Sequence, residues 1–342
     1  MGRFFRHLFS VSAIFLAALA AGRANEIFAE SSMPTEAELL LERALDAEKL
    51  GNFSKARRSY RKLIRKFPTG TEAPMAMERM GSILLEQRRF QPAFQYFQNL
   101  LDRYPEYPRY IGIVGLEFQI AERMMRGQRN YFWGKIPGFK NRTGAIEFFR
   151  RVVERAPYGD YAPEALLNIA HLGIRTGEPT ISIEALEKLI DGYGNSPQAP
   201  DALLLLARIH RDLVPGPDYD QRSANDALNY YQEFLILFPD SPRVDEAEAG
   251  LKEVMELRAA GKLSIGNFYY DGRQNPEGAK IYYAETLKIA PENSAAAECA
   301  RRRLAEIAAE KPGKGTPLDH ILGPYKPSAT DRFAPSSEME LL

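Results

Sequence analysis

Five times along the chain an alanine is followed four residues later by an aromatic residue and twelve residues later by a proline. The copies are Ala56/Tyr60/Pro68, Ala93/Phe97/Pro105, Ala145/Phe149/Pro157, Ala227/Tyr231/Pro239 and Ala279/Tyr283/Pro291. Residues at i and i+4 share one helix face, so the alanine admits a neighbouring helix while the ring fills the space beside it, and the proline ends the helix. A sixth copy is degraded to Ser182/Leu186/Gly194 but keeps a step of 37 residues from Pro157. A hairpin recurring every 37 to 52 residues leaves an apolar face uncovered until its neighbour stacks on it, so the core must run along the stack.

The triplet matches the second helix of a tetratricopeptide (TPR) hairpin. The expected fold is therefore all-α: a TPR solenoid of about six helix hairpins plus a C-terminal capping helix. The expected repeats span 35–69, 70–106, 107–158, 159–195, 196–240 and 241–292, with the capping helix at 293–310.

Outside that array lie three segments. Residues 1–24 carry Arg3 and Arg6, an almost wholly apolar run from Leu8 to Ala21, and small residues at Ala18-Leu19-Ala20 and Gly22-Arg23-Ala24. This pattern reads as a secretory signal peptide; an uncleaved anchor is the alternative, although the run is short of the ~20 residues of a membrane span. Residues 25–34 read as a linker, and 311–342, rich in Pro, Gly and Ser, as a disordered tail in which Leu318-Asp-His-Ile-Leu could dock. Removing the leader leaves 42 basic against 45 acidic residues, a balance that gives no support for nucleic-acid binding. Cys299, the single cysteine, cannot form an intramolecular disulfide and reads as a small residue of the capping helix.

Local signals fill in the array. Thr35 can cap the first helix, and Gly51-Asn52 turns the chain into the second. Gly81 falls where two helices of a hairpin approach most closely, and the next turn lies near Arg88-Arg89. The third repeat carries extra residues in its turn, Gln128 to Arg142, including Tyr131, Phe132 and Trp133. Aromatics in a loop either fold back on the array or meet a partner. Ser223 is a plausible cap in repeat five. From Pro242 to about Tyr270 there is no proline, and the apolar residues keep helical spacing, so one long helix is expected, with a bend or break allowed at Gly250, Gly261 or Gly266. Arg301, Arg302 and Arg303 are expected on a polar side of the capping helix.

Chemistry is not visible. His171, His210 and His320 stand without a second metal ligand at helical spacing, clear strands are not expected, and neither a nucleophile elbow nor a phosphate-cradling glycine loop is present. No enzyme activity, cofactor or metal is expected. What remains is the groove lined by the first helices of the hairpins. Counting from the small residue of each first helix places Ser82, Leu85 and Glu86 there in repeat two, His171, Ile174 and Arg175 in repeat four, and Arg208, Arg211 and Asp212 in repeat five. Arginine offers a planar set of donors to a peptide or carboxylate; a solvated charged face is the alternative.

From Asp220 to Pro291 the chain resembles a more particular family. Ala227, Tyr231 and Phe234 lead to Phe238-Pro-Asp-Ser, a long helix carries Leu257-Arg258-Ala259 and then an aromatic pair, and a final hairpin closes at Pro291. This order is similar to the last two repeats of BamD, the TPR subunit of the outer-membrane β-barrel assembly machine. The resemblance implies a periplasmic scaffold at the inner face of the outer membrane. By the same resemblance, the N-terminal repeats receive unfolded outer-membrane proteins and the C-terminal ones dock on POTRA domains of the barrel-forming subunit. Arg258 matches the family's arginine in the long helix and is the expected docking residue; an intrahelical pair with Glu253 or Glu256 is the alternative. Where that family carries a lipid-bearing cysteine, Leu19-Ala20-Ala21 is followed here by Gly22, so membrane association is expected through a partner rather than a lipid. The other reading is a periplasmic TPR adaptor of the Tol-Pal or cell-division type, though residues 25–50 show too few heptads for the coiled coil such adaptors often carry.

Overall fold

A computed structural model describes residues 34–132, 136–138, 141–214, 216 and 222–309. The expected leader, most of the linker, the tail and Trp133 lie outside the described residues. The chain divides into two compact units, one ending at Ala199 and one beginning at Pro200.

The first unit holds α1 (Glu36–Lys49), α2 (Phe53–Lys66), α3 (Ala73–Glu86), α4 (Phe90–Arg103), α5 (Tyr110–Met125), α6 (Gly144–Arg155), α7 (Tyr161–Thr176) and α8 (Pro179–Tyr193). Each packs on the next in sequence, which makes four hairpins, and α5 also reaches α7. Thr35 accepts from the Glu38 amide while Glu38 bonds back to the Thr35 amide, a capping box. Gly51 turns the chain at φ 71°, and Asn52 caps α2 through the Lys55 amide at 3.1 Å. Arg88, not a glycine, takes the left-handed position in the α3–α4 turn at φ 54°.

The second unit holds α9 (Ala199–Asp212), α10 (Arg222–Leu237), α11 (Val244–Asn267), a π-helical turn at Phe268–Gly272, α12 (Pro276–Ile289) and α13 (Ala295–Ala309). Helix α10 begins at Arg222, so Ser223 lies inside its first turn rather than capping it. Ser294 caps α13 through the Ala297 amide at 3.2 Å. On the polar side of α13, Arg301 and Arg302 are exposed, while Arg303 is partly buried, bonds to Asp271 and Glu306 and lies over the Tyr270 ring.

The repeating triplet makes the core. Ala56, Ala93, Ala145, Ala227 and Ala279 are fully buried, and so are Tyr60, Phe97, Phe149, Tyr231 and Tyr283. In the degraded copy Ser182 and Leu186 take the same places, the serine hydroxyl donating to the Ala170 carbonyl at 2.8 Å. Each ring contributes about 1.5–3 kcal/mol by leaving water. Two of the tyrosines bond through their hydroxyls: Tyr60 donates to Glu48 at 2.7 Å and Tyr283 to Asn267 at 2.9 Å.

Glycines let these rings in. A Cβ on Gly81 would stand 2.4 Å from the Phe97 ring, one on Gly250 2.4 Å from the Tyr231 ring, and one on Gly266 2.6 Å from the Tyr283 ring. The break allowed at Gly250, Gly261 or Gly266 is not made. Helix α11 runs unbroken over 24 residues, and Gly250 and Gly266 are where neighbouring rings press against its backbone.

A second joint recurs between repeats of the first unit. Tyr104 donates its hydroxyl to the Pro68 carbonyl, and Tyr193 donates to that of Pro157, both 36 residues earlier. The proline that ends one hairpin thus leaves a carbonyl that the next hairpin's terminal tyrosine satisfies.

Candidate protein-interaction surfaces

In the second unit, charged side chains of α9 face those of α11. Arg208 pairs with Glu246, Arg211 with Glu253 at 2.9 Å, and Asp201 with Arg243, which also holds Glu246 at 3.0 Å. Arg211 further bonds to its neighbour Asp212. Two of the arginines expected to line the groove, Arg208 and Arg211, therefore have their guanidinium groups occupied by carboxylates of the same unit. They act as struts between consecutive first helices.

Arg258 is in a different state. It sits on α11 beside buried Val254 and Ala259 and is itself half-buried. Among the described residues no carboxylate pairs with it. Glu253 is engaged by Arg211, and Glu256, two residues away on the helix, does not share its face. Burial alone draws its pKa down: the guanidinium has lost water without gaining a counter-charge. The intrahelical pairing that could have explained this arginine is not made.

In the first unit, His171, Ile174 and Arg175 are exposed on one side of α7, and Glu86 is exposed on α3. Leu85, expected in the groove, is buried in the core at 4% exposure; it stands one turn on from Gly81, whose backbone meets the Phe97 ring of α4. The Gln128–Arg142 insertion contains a short antiparallel ribbon, Tyr131–Phe132 with Ile136–Pro137, where no clear strand was expected. The Tyr131 amide donates to the Arg88 carbonyl at 2.9 Å, and the Arg88 guanidinium lies over the Tyr131 ring. Asn130 accepts from the Phe90 amide at 3.0 Å. The start of the insertion is thus folded back on the α3–α4 turn.

One cluster had no counterpart in the sequence reading. Glu117 on α5 is fully buried; one carboxylate oxygen accepts from Gln98 at 2.8 Å and the other has no partner. Gln98 accepts in turn from Arg155 at 2.8 Å, and Arg155 holds Asp102 at 2.5 Å. Burial pushes the Glu117 carboxyl up to about 7, against the pull of Gln98 and Arg155. A lone acid inside the apolar run of α5 was the available signal.

Residues 140–301 match the family model described as outer membrane lipoprotein (YfiO), and residues 41–108 match a tetratricopeptide-repeat model. The chain thus carries tetratricopeptide repeats and resembles BamD over residues 140–301. The match takes in Arg258 and the whole of α11, together with His171, Arg175, Arg208 and Arg211, whereas Tyr131, Phe132 and Trp133 precede it. Among solved structures, a tetratricopeptide repeat protein from Parabacteroides merdae is similar at 15% identity over 80% of this chain and 98% of that one, with a TM-score of 0.32. The C-terminal part of a TPR repeat-containing protein from Cytophaga hutchinsonii is similar at 18% identity over 85% and 98%, with a TM-score of 0.34. Among the described residues no helix is long and apolar enough to cross a membrane, and no cluster of three His, Cys, Asp or Glu could hold a metal.

Proposed function

We propose that this protein is an envelope scaffold of outer-membrane protein assembly, working by binding and orientation without chemistry of its own. Helix α11 is its docking face for the POTRA domains of a β-barrel assembly subunit. The observation that carries the reading is Arg258: a half-buried guanidinium with no carboxylate among the described residues, on the helix that falls within the outer-membrane lipoprotein match. A partner carboxylate placed on Arg258 would return the charge partner that burial has denied it, and a charge-assisted contact of that kind is strong and directional.

In this reading Arg208 and Arg211 serve the site indirectly, by fixing α9 against α11. His171 and Arg175, exposed on α7, and the aromatic insertion with Tyr131, Phe132 and Trp133 are proposed contacts for unfolded outer-membrane proteins. The direct test titrates soluble POTRA domains into the purified chain. Arg258→Glu weakens binding by at least tenfold while the melting temperature stays within a few degrees of wild type. Unchanged affinity would remove Arg258 from the docking face.

A further inference from the structure

Helix α2 is the most one-sidedly charged element of the chain. Its 14 residues include Lys55, Arg57, Arg58, Arg61, Lys62, Arg65 and Lys66 and no acid, although the whole sequence has as many acidic as basic residues. At about 3.6 residues per turn, Ala56, Tyr60 and Leu63 share the buried face, and the seven cations fill the opposite half of the circumference. All but the half-buried Arg57 are exposed. Lys66 pairs with Glu36 at 2.5 Å; among the described residues no carboxylate pairs with the other six.

The cluster extends past the helix. Arg57 carries a buried, unpartnered Nε, and its guanidinium pKa is drawn down by burial and then by the nearby charges of Arg89 and Arg61. Arg57, Arg61 and Arg89 therefore repel one another, and within the described residues Glu36 offsets only the Lys62 and Lys66 end of the row. Beside them, in the α1–α2 turn and the first turn of α2, two apolar side chains face solvent: Leu50 is 84% exposed and Phe53 36%. A helix about 21 Å long thus offers a row of long flexible cations, with Leu50 protruding from the turn before it and Phe53 partly exposed on the flank nearer the buried face. A flat anionic lipid surface meets a row of long cations along its whole length, its phosphates on the ammonium and guanidinium groups and its acyl boundary at the Leu50 end.

The geometry points to α2 and the Leu50–Phe53 tip as a peripheral binding surface for anionic phospholipid headgroups. The outer membrane lipoprotein match begins downstream at residue 140, and the tetratricopeptide-repeat match over residues 41–108 takes in this helix only as part of a repeat. The attachment acts through the first repeat, independently of docking at α11.

The test is cosedimentation of the chain, purified after export, with vesicles containing phosphatidylglycerol and with phosphatidylcholine vesicles. Binding to the anionic vesicles that falls steeply with salt is the expected result. The triple variant Arg58→Glu, Arg61→Glu, Lys62→Glu loses on the order of a hundredfold in affinity, and Leu50→Ser weakens binding without changing its salt dependence. A far-UV spectrum and melt check each fold; should the triple variant misfold, Lys55→Ala with Arg65→Ala gives the same reading with a smaller loss. Equal binding to both vesicle types, wild-type affinity in the charge variants, or displacement by phosphate where chloride is ineffective overturns the proposal. So does displacement by soluble polyglutamate at charge-matched concentrations, which would assign the row to an acidic protein instead.

Discussion

Where α4 meets α6 in the first unit, Arg155 holds Gln98 and Asp102, and Glu117 lies sealed behind Gln98 with one oxygen unsatisfied. Where α9 meets α11 in the second unit, Arg208, Arg211 and Arg243 grip Glu246, Glu253 and Asp201, carboxylates that stay more than a third exposed. Both joints tie neighbouring repeats with arginine and carboxylate, yet depth separates their consequences. The exposed pairs keep their hydration and are screened by salt, so each contributes little and any can be lost cheaply. The buried acid has surrendered its hydration for a single neutral hydrogen bond, which makes its ionisation a cost to the fold.

The sharpest way to break that contrast is pH. Because the folded Glu117 carboxyl titrates near 7 against an ordinary 4.5, the native state binds the extra proton between those values. Stability therefore falls as pH rises from about 4.5 to about 7 and stays low above it. The loss is on the order of 3 kcal/mol. Melting curves at pH 5 and pH 8 measure it, and Glu117→Gln, which keeps the acceptor without the charge, removes that component. A Glu117→Gln protein with the same pH dependence as wild type would sink the assignment.

Next in size is Gly250. Helix propensity alone makes Gly250→Ala a gain of up to about 1 kcal/mol, whereas a methyl group 2.4 Å from the Tyr231 ring turns it into a loss of about 1–3 kcal/mol. Urea unfolding decides the sign. The smallest effect belongs to the exposed lattice: Glu253→Gln costs about 0.2–1 kcal/mol, and the cost shrinks further in high salt. A larger, salt-independent loss would show that the lattice is more deeply buried in effect than its exposure indicates.

Much of the fold was legible because its signal is geometric and repeated. The Ala/aromatic pairs are the core, and Pro68, Pro105, Pro157 and Pro239 each follow the end of a second helix closely. Even the degraded Ser182 copy kept its place. What escaped depends on contacts distant in sequence. The struts from Arg208 to Glu246 and from Arg211 to Glu253 join residues about forty apart, and nothing in a single helix's pattern distinguishes such an arginine from one facing a groove. Gly250 and Gly266 were read by propensity, although their role is set by rings on other helices. Ser223 had the right chemistry for a cap one residue inside the helix start. Arg258 was readable by resemblance alone; its missing counter-charge is visible only once Glu253 is seen to pair elsewhere.

The most direct test of the scaffold reading is affinity purification of the tagged native chain and its Arg258→Glu variant from gently solubilised envelope, with mass spectrometry of the recovered proteins. Stoichiometric recovery of a POTRA-containing β-barrel subunit by the native chain, and its loss with the variant, is the predicted result. Recovery of division or peptidoglycan-associated proteins in its place, unaffected by the change at Arg258, would contradict it.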